Sequence, residues 1–154
     1  MDETEYRQTY HEVNERRCVF EKAINARRCS CALSQRFNLA DREGVSCTDQ
    51  SGCNRCKQLL ELMRNNARFA LQMTNVPGPL PHAKEVKVQI GGMLGLQKLL
   101  QPELKDDDRV HDINGLAETA LQQYHSLDKL PYSEIVKSIV NFEGRLRRRS
   151  QKQP

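Results

Sequence analysis

SQRFNLADREGVSC, residues 34–47, lies between two long amphipathic stretches and decides whether the chain contains a sheet. It is read as a short helix closed by Gly44, a residue favoured just past helix ends, followed by a loop. The overlapping segment SCTDQSGC, residues 46–53, clusters Ser, Thr, Asp and Gly and is a turn region. With residues 34–47 helical, no strand elsewhere would have a partner, and an isolated strand is not stable. The expected fold class is therefore all-α, with about five helices in a small orthogonal or antiparallel bundle.

Working outward, residues 5–32 read as one long helix. Tyr6, Tyr10, Val13, Phe20, Ile24 and Cys31 recur at heptad-compatible spacing, and no Gly or Pro precedes Gly44. On the other side, Cys53, Cys56, Leu60, Met63, Ala67 and Ala70 trace one face of a second helix, over residues 51–73. VPGPLP, residues 76–81, ends that run, because closely spaced prolines cannot propagate a helix. HAKEVKVQIGGMLGLQKLL (82–100) alternates in part like a strand, but Val86, Ile90, Met93, Gln97 and Leu100 follow a helical period. A helix is expected there, weakened by about 1 kcal/mol at each of Gly91 and Gly92 relative to Ala, which also admit close helix contact. Asp106–Asp108 suit a helix start, where the backbone dipole favours anions. They lead into Val110, Ile113, Ala117, Ala120 and Tyr124. A last helix begins at Pro131 and presents Ile135, Val136, Ile139 and Phe142.

A chain of 154 residues fits one domain, here residues 1–150 with a cysteine-rich part at 18–56 and a basic tail at 145–154. No run of about 18 apolar residues exists, so no membrane span is expected. The first residues, MDETEYRQTYHEVNERR, lack the apolar core of a secretory signal. A cytoplasmic location follows as the expectation, and in a reducing compartment structural disulfides are rare.

The chain nonetheless carries six cysteines, all within its first 56 residues: Cys18, Cys29, Cys31, Cys47, Cys53 and Cys56. The last five have the spacing C-x-C, fifteen residues, C-x5-C, two residues, C. The turn region brings the two groups together if the first two main helices pack antiparallel. The expected metal ligands are Cys29, Cys31, Cys47 and Cys56, with Cys53 as the rival for one place. Four thiolates suit an iron–sulfur cluster or, alternatively, zinc. Iron–sulfur is preferred, because zinc sites put paired ligands on tight C-x2-4-C knuckles. Here only Cys53 and Cys56 have that spacing, within a helix. Cys18 is assigned to plain packing, since free cysteine behaves as a small buried hydrophobe. The Cys53-Asn-Arg-Cys56 pair at a helix start has the placement of a redox dithiol, but that motif belongs in a strand–helix context absent here.

No G-x-S-x-G, H-E-x-x-H or P-loop is present, and no carboxylate pair stands out for acid–base work, so the enzyme case is weak. The expected function is a small metal-binding sensor, electron carrier or accessory factor serving a protein partner. The first alternative is a helical protein–protein adaptor whose cysteines are core. The second is a metal-controlled nucleic-acid-binding regulator, using Arg145, Arg147, Arg148 and Arg149 of the tail on phosphates or an acidic partner.

Overall fold

The structure, a computed structural model, describes residues 2–72 and 78–143. The elements run α1 (Glu3–Val13), α2 (Glu21–Asn25), β1 (Ser34–Leu39), β2 (Arg42–Cys47), α3 (Gln50–Ala67), α4 (His82–Val86), α5 (Gly92–Leu100), α6 (Ile113–Tyr124) and α7 (Tyr132–Asn141). A π-helical turn, Lys87–Gly91, joins α4 to α5 without interrupting the helical path.

The expected all-α class is corrected: residues 34–47 form an antiparallel hairpin, not a short helix. Leu39 pairs with Arg42, leaving Ala40 and Asp41 as a two-residue connection, and both have positive φ, 49° and 69°. Positive φ at both central residues is the type I′ geometry that matches the twist of paired strands. The turn uses Ala-Asp where Asn-Gly is the usual signal, so the sequence hides it. Gly44 does not close a helix. It sits opposite Phe37, whose ring lies where a Cβ would be, 2.3 Å from the nearest ring atom.

The long first helix is also corrected. It stops at Val13, because the next residues are recruited by the hairpin. Arg17 bridges Ser46 in antiparallel fashion, the Cys18 amide donates to the Val45 carbonyl at 3.0 Å, and the Cys47 amide to Arg16 at 2.8 Å. Strand β2 thus lies between β1 and residues 16–18. Arg27 takes a left-handed conformation after α2, with φ 63°, turning the chain toward Cys29. There Cys29 bridges Val110, with Ser30 and Val110 amides donating across at 2.9 and 2.8 Å.

The remaining helices follow the sequence pattern more closely. Helix α3 begins behind Asp49, whose carboxylate accepts from the Gly52 amide at 2.7 Å, an N-cap. It ends as an α-helix at Ala67, and the expected end at Met73 falls outside the described residues. Asp106–Asp108 do not start α6. Asp112 occupies its N-cap position instead.

Helix α7 packs against α5 and α3 over a core of Leu59, Leu60, Met63, Met93, Ile135 and Ile139, all essentially inaccessible. Each such side chain contributes about 1.5–3 kcal/mol on burial. Under this core, Glu85 accepts from Arg64 Nε at 2.9 Å, the Leu80 amide at 3.0 Å and Gln89 at 2.8 Å. Burial pushes the Glu85 carboxyl up, but hydrogen bonds from Arg64, Gln89 and Leu80 outweigh it and hold the group below its ordinary value. Among the described residues no helix is long and apolar enough to cross a membrane.

Gly91 makes the α5–α7 approach possible: a Cβ there would stand 2.8 Å from Ile139 Cα and 3.1 Å from the Ser138 carbonyl oxygen. Backbone cannot move aside as a side-chain tip can. Gly91→Ala should therefore destabilise the fold by about 1–3 kcal/mol, read as a lower urea midpoint. Were helix propensity the larger effect, the same substitution would stabilise by about 1 kcal/mol.

Candidate functional site: a five-thiol cavity

Cys18, Cys31, Cys47, Cys53 and Cys56 line one small cavity, closed by Phe20, Leu33 and Ile113. Its free volume is about 20 Å³, which holds a single water molecule or a single ion.

The five thiols arrive from four different local structures. Cys18 leads into α2 on the segment paired with β2, and Cys47 ends β2 itself. Cys31 opens a turn whose carbonyl accepts from the Ser34 amide at 3.2 Å and the Ser34 hydroxyl at 2.8 Å. Cys53 and Cys56 stand in the first turns of α3, one helical turn apart, where the helix dipole favours anions. The hairpin is therefore what gathers the set: it delivers Cys47 and fixes Cys18 through the Val45 carbonyl.

The placement of the expected ligands differs in one respect. Cys31, Cys47, Cys53 and Cys56 share the cavity, whereas Cys29 does not line it. Cys29 is 3% exposed within the apolar core, its backbone occupied by the bridge to Val110. Cys18, assigned to plain packing on helical periodicity, lines the cavity instead. The signal that could have found it is the failure of Arg16-Arg17-Cys18 to suit a buried helical face. Arg145, Arg147, Arg148 and Arg149 lie outside the described residues.

As the side chains stand, no group of three or more His, Cys, Asp or Glu among the described residues has the arrangement of a metal site. Two thiols are turned to backbone acceptors: Cys47 Sγ donates to the Asp49 carbonyl at 3.2 Å, and Cys53 Sγ to that of Arg17 at 3.9 Å. Gathering thiolates on a central ion requires these contacts to break.

Electrostatics favour neutral thiols in this state. Burial pushes Cys18 up to about 12, with smaller upward contributions from Cys31 and Cys47. Burial likewise pushes Cys56 up to about 12, reinforced by Cys31, Cys18 and Cys47, while Arg55 opposes the shift. Cys31 is raised by burial. Cys53 is raised by burial too, against lowering by Lys57 and Arg16. Cys29 is also pushed up to about 12 by burial.

Cations stand ready around the cavity. Arg55 donates through Nη2 to Asn114 at 2.7 Å, while its buried Nε has no acceptor. Arg16 donates through Nη1 to the Cys47 carbonyl at 3.2 Å. An all-thiolate centre would carry net negative charge, which these guanidiniums offset.

The chain matches no protein-family profile, no curated protein and no solved structure.

The thiol burial has a measurable consequence, read in chelator-treated protein. At pH 8, iodoacetamide should alkylate Cys18 and Cys56 more than about a hundredfold slower in the native protein than in urea, because only the thiolate reacts. The native rate should climb about tenfold per pH unit between pH 8 and 11, while the unfolded rate levels off above its ordinary thiol value near 9. The same shifts make stability fall as pH rises from about 9 toward 12, since only the unfolded chain then ionises. Mass-mapped alkylation rates check this, and native rates equal to unfolded ones would refute the burial.

Proposed function

We propose that the protein binds a thiophilic metal centre through its clustered cysteines, with Cys18, Cys31, Cys47 and Cys56 as ligands and Cys53 beside them. The observation that carries this reading is the convergence of five cysteines, from four separate segments, on one small cavity. Core packing alone gives no reason for five thiols to meet there. Apolar side chains fill such volume without polarisable sulfur or the risk of oxidation.

The donor chemistry narrows the metal. The cavity's ligand-capable side chains are all thiols apart from Ser34 and Asn114, and soft all-sulfur sets select iron–sulfur clusters or zinc. Iron–sulfur is the preferred occupant on ligand spacing, because the ligands come singly from a strand end, a turn, a bridging segment and a helix rather than from zinc-type knuckles. A cluster there requires the cavity to widen beyond its present volume of about 20 Å³. In the role proposed, the protein serves a protein partner as an electron carrier, sensor or accessory factor.

A second reading draws on the same burial. Raised thiol pKa values are also what inert core cysteines show, and a helical adaptor with packed cysteines would share them. Metal content separates the two. Expression with supplemented iron and anaerobic purification should give brown protein with matching iron and sulfide. Cys31→Ala and Cys56→Ala should each lose most of the iron, while Cys29→Ala, outside the cavity, keeps it. Zinc retained with the same residue dependence would make the centre a zinc thiolate. Metal-free protein after both iron and zinc supplementation would leave the adaptor reading.

A further inference from the structure

Behind Cys18 and Cys53 lies a second, open cleft of about 450 Å³, and these two cysteines line both spaces. A volume of this order suits a small-molecule ligand. Its walls carry Arg16, Arg17, Lys22, Lys57 and Arg64. Three acids also face it: Glu15, Glu21 and Glu85.

Two of those acids are already consumed. Glu21 accepts from Tyr10, from the Val45 amide at 2.7 Å and from Arg17 at 2.8 Å. Glu85 is saturated by Arg64, Leu80 and Gln89. These pairs neutralise Arg17 and Arg64 in place. What remains is Arg16, Lys22 and Lys57 against the single exposed carboxylate of Glu15. Arg16 contacts only neutral partners, Gln50 Oε1 at 3.2 Å and the Cys47 carbonyl, and Lys22 Nζ meets His82 Nδ1 at 2.8 Å. Lys57 has no carboxylate partner among the described residues. A concave surface with surplus positive charge concentrates anions.

We infer that this cleft binds a small molecule bearing clustered anionic oxygens, placed against the thiol cavity through the shared wall of Cys18 and Cys53. Phosphate and carboxylate groups satisfy the same cations, so the ligand class is a compact polyanion of either kind. The inference stands on the cleft's own charge balance and volume, and does not require that the cavity bind metal. Its bearing on the cavity is positional: an occupant there lies next to two of its five thiols.

Isothermal titration of the full chain with inorganic pyrophosphate, and separately with citrate, tests the site in metal-free and metal-loaded protein. Saturable submillimolar binding of at least one probe is expected, and the stronger probe identifies the source as phosphate or carboxylate. Lys57→Glu, at an exposed position, should weaken that binding at least tenfold, and Lys22→Gln should weaken it several-fold. Lys129→Glu makes the same charge change on an exposed residue outside the cleft and should leave affinity within twofold. No saturable binding of either probe in either form overturns the proposal. So does equal loss in Lys57→Glu and Lys129→Glu, which would mean that net charge alone attracts the anion.

Discussion

The carboxylate of Glu21 is the tie on which the N-terminal half depends. It is 6% exposed, yet it accepts from the Tyr10 hydroxyl on α1, the Val45 amide on β2 and the Arg17 guanidinium. Asn14 closes the ring, donating to Tyr10 at 2.8 Å and to the Val45 carbonyl at 3.0 Å. A buried charge persists only when paired and hydrogen-bonded, and removing one partner of such a network costs about 3–5 kcal/mol. Three elements are thereby locked together by one acid. Because Val45 also holds the Cys18 amide, the same tie sets where Cys18 and Cys47 stand.

From that tie the logic of the thiol cavity follows. The hairpin and the Arg16–Cys18 segment form one wall, the start of α3 a second, and the Cys31 turn a third. Asp112 anchors this last wall by accepting from the Ala32 amide at 3.0 Å. The C-terminal helices contribute less chemistry than rigidity. Gly91 and Gly95 let α7 approach closely, Gly92 makes room for Met63 of α3, and the resulting core packs on the α3 face that also carries Cys53 and Cys56. As the side chains stand, burial in the cavity favours neutral thiols. A thiophilic ion would reverse that preference by supplying the positive charge that burial removes.

Much of this was legible in the residues. The three- and four-residue spacing of Leu60, Met63 and Ala67 located α3, and Pro131 with Ile135 and Ile139 located α7. Strong periodicity reports a buried helical face whatever the tertiary context. Residues 34–47 failed for a definite reason. Their alternation is blunted because the hairpin is only part-buried, and Ala40-Asp41 adopts a turn that Asn-Gly ordinarily signals. Residues 14–18 failed because nothing local breaks a helix there. The break comes from pairing with β2 and from the buried Asn14, which are tertiary effects. Of the cysteines named from the sequence, Cys31, Cys47, Cys53 and Cys56 share the cavity and Cys29 does not, while Cys18 both packs against the core and lines the cavity. The Cys29–Val110 bridge joins residues far apart in sequence and could not be foreseen.

X-ray absorption at the edge of the bound metal tests the central claim, that thiols from separate segments meet on one centre, most directly. The first shell should be sulfur alone, near 2.3 Å, in the wild type and in Cys29→Ala, with the metal signal itself largely lost in Cys31→Ala and Cys56→Ala. A shell of nitrogen or oxygen, or a sulfur shell that depends on Cys29 and not on Cys31 or Cys56, would contradict that claim.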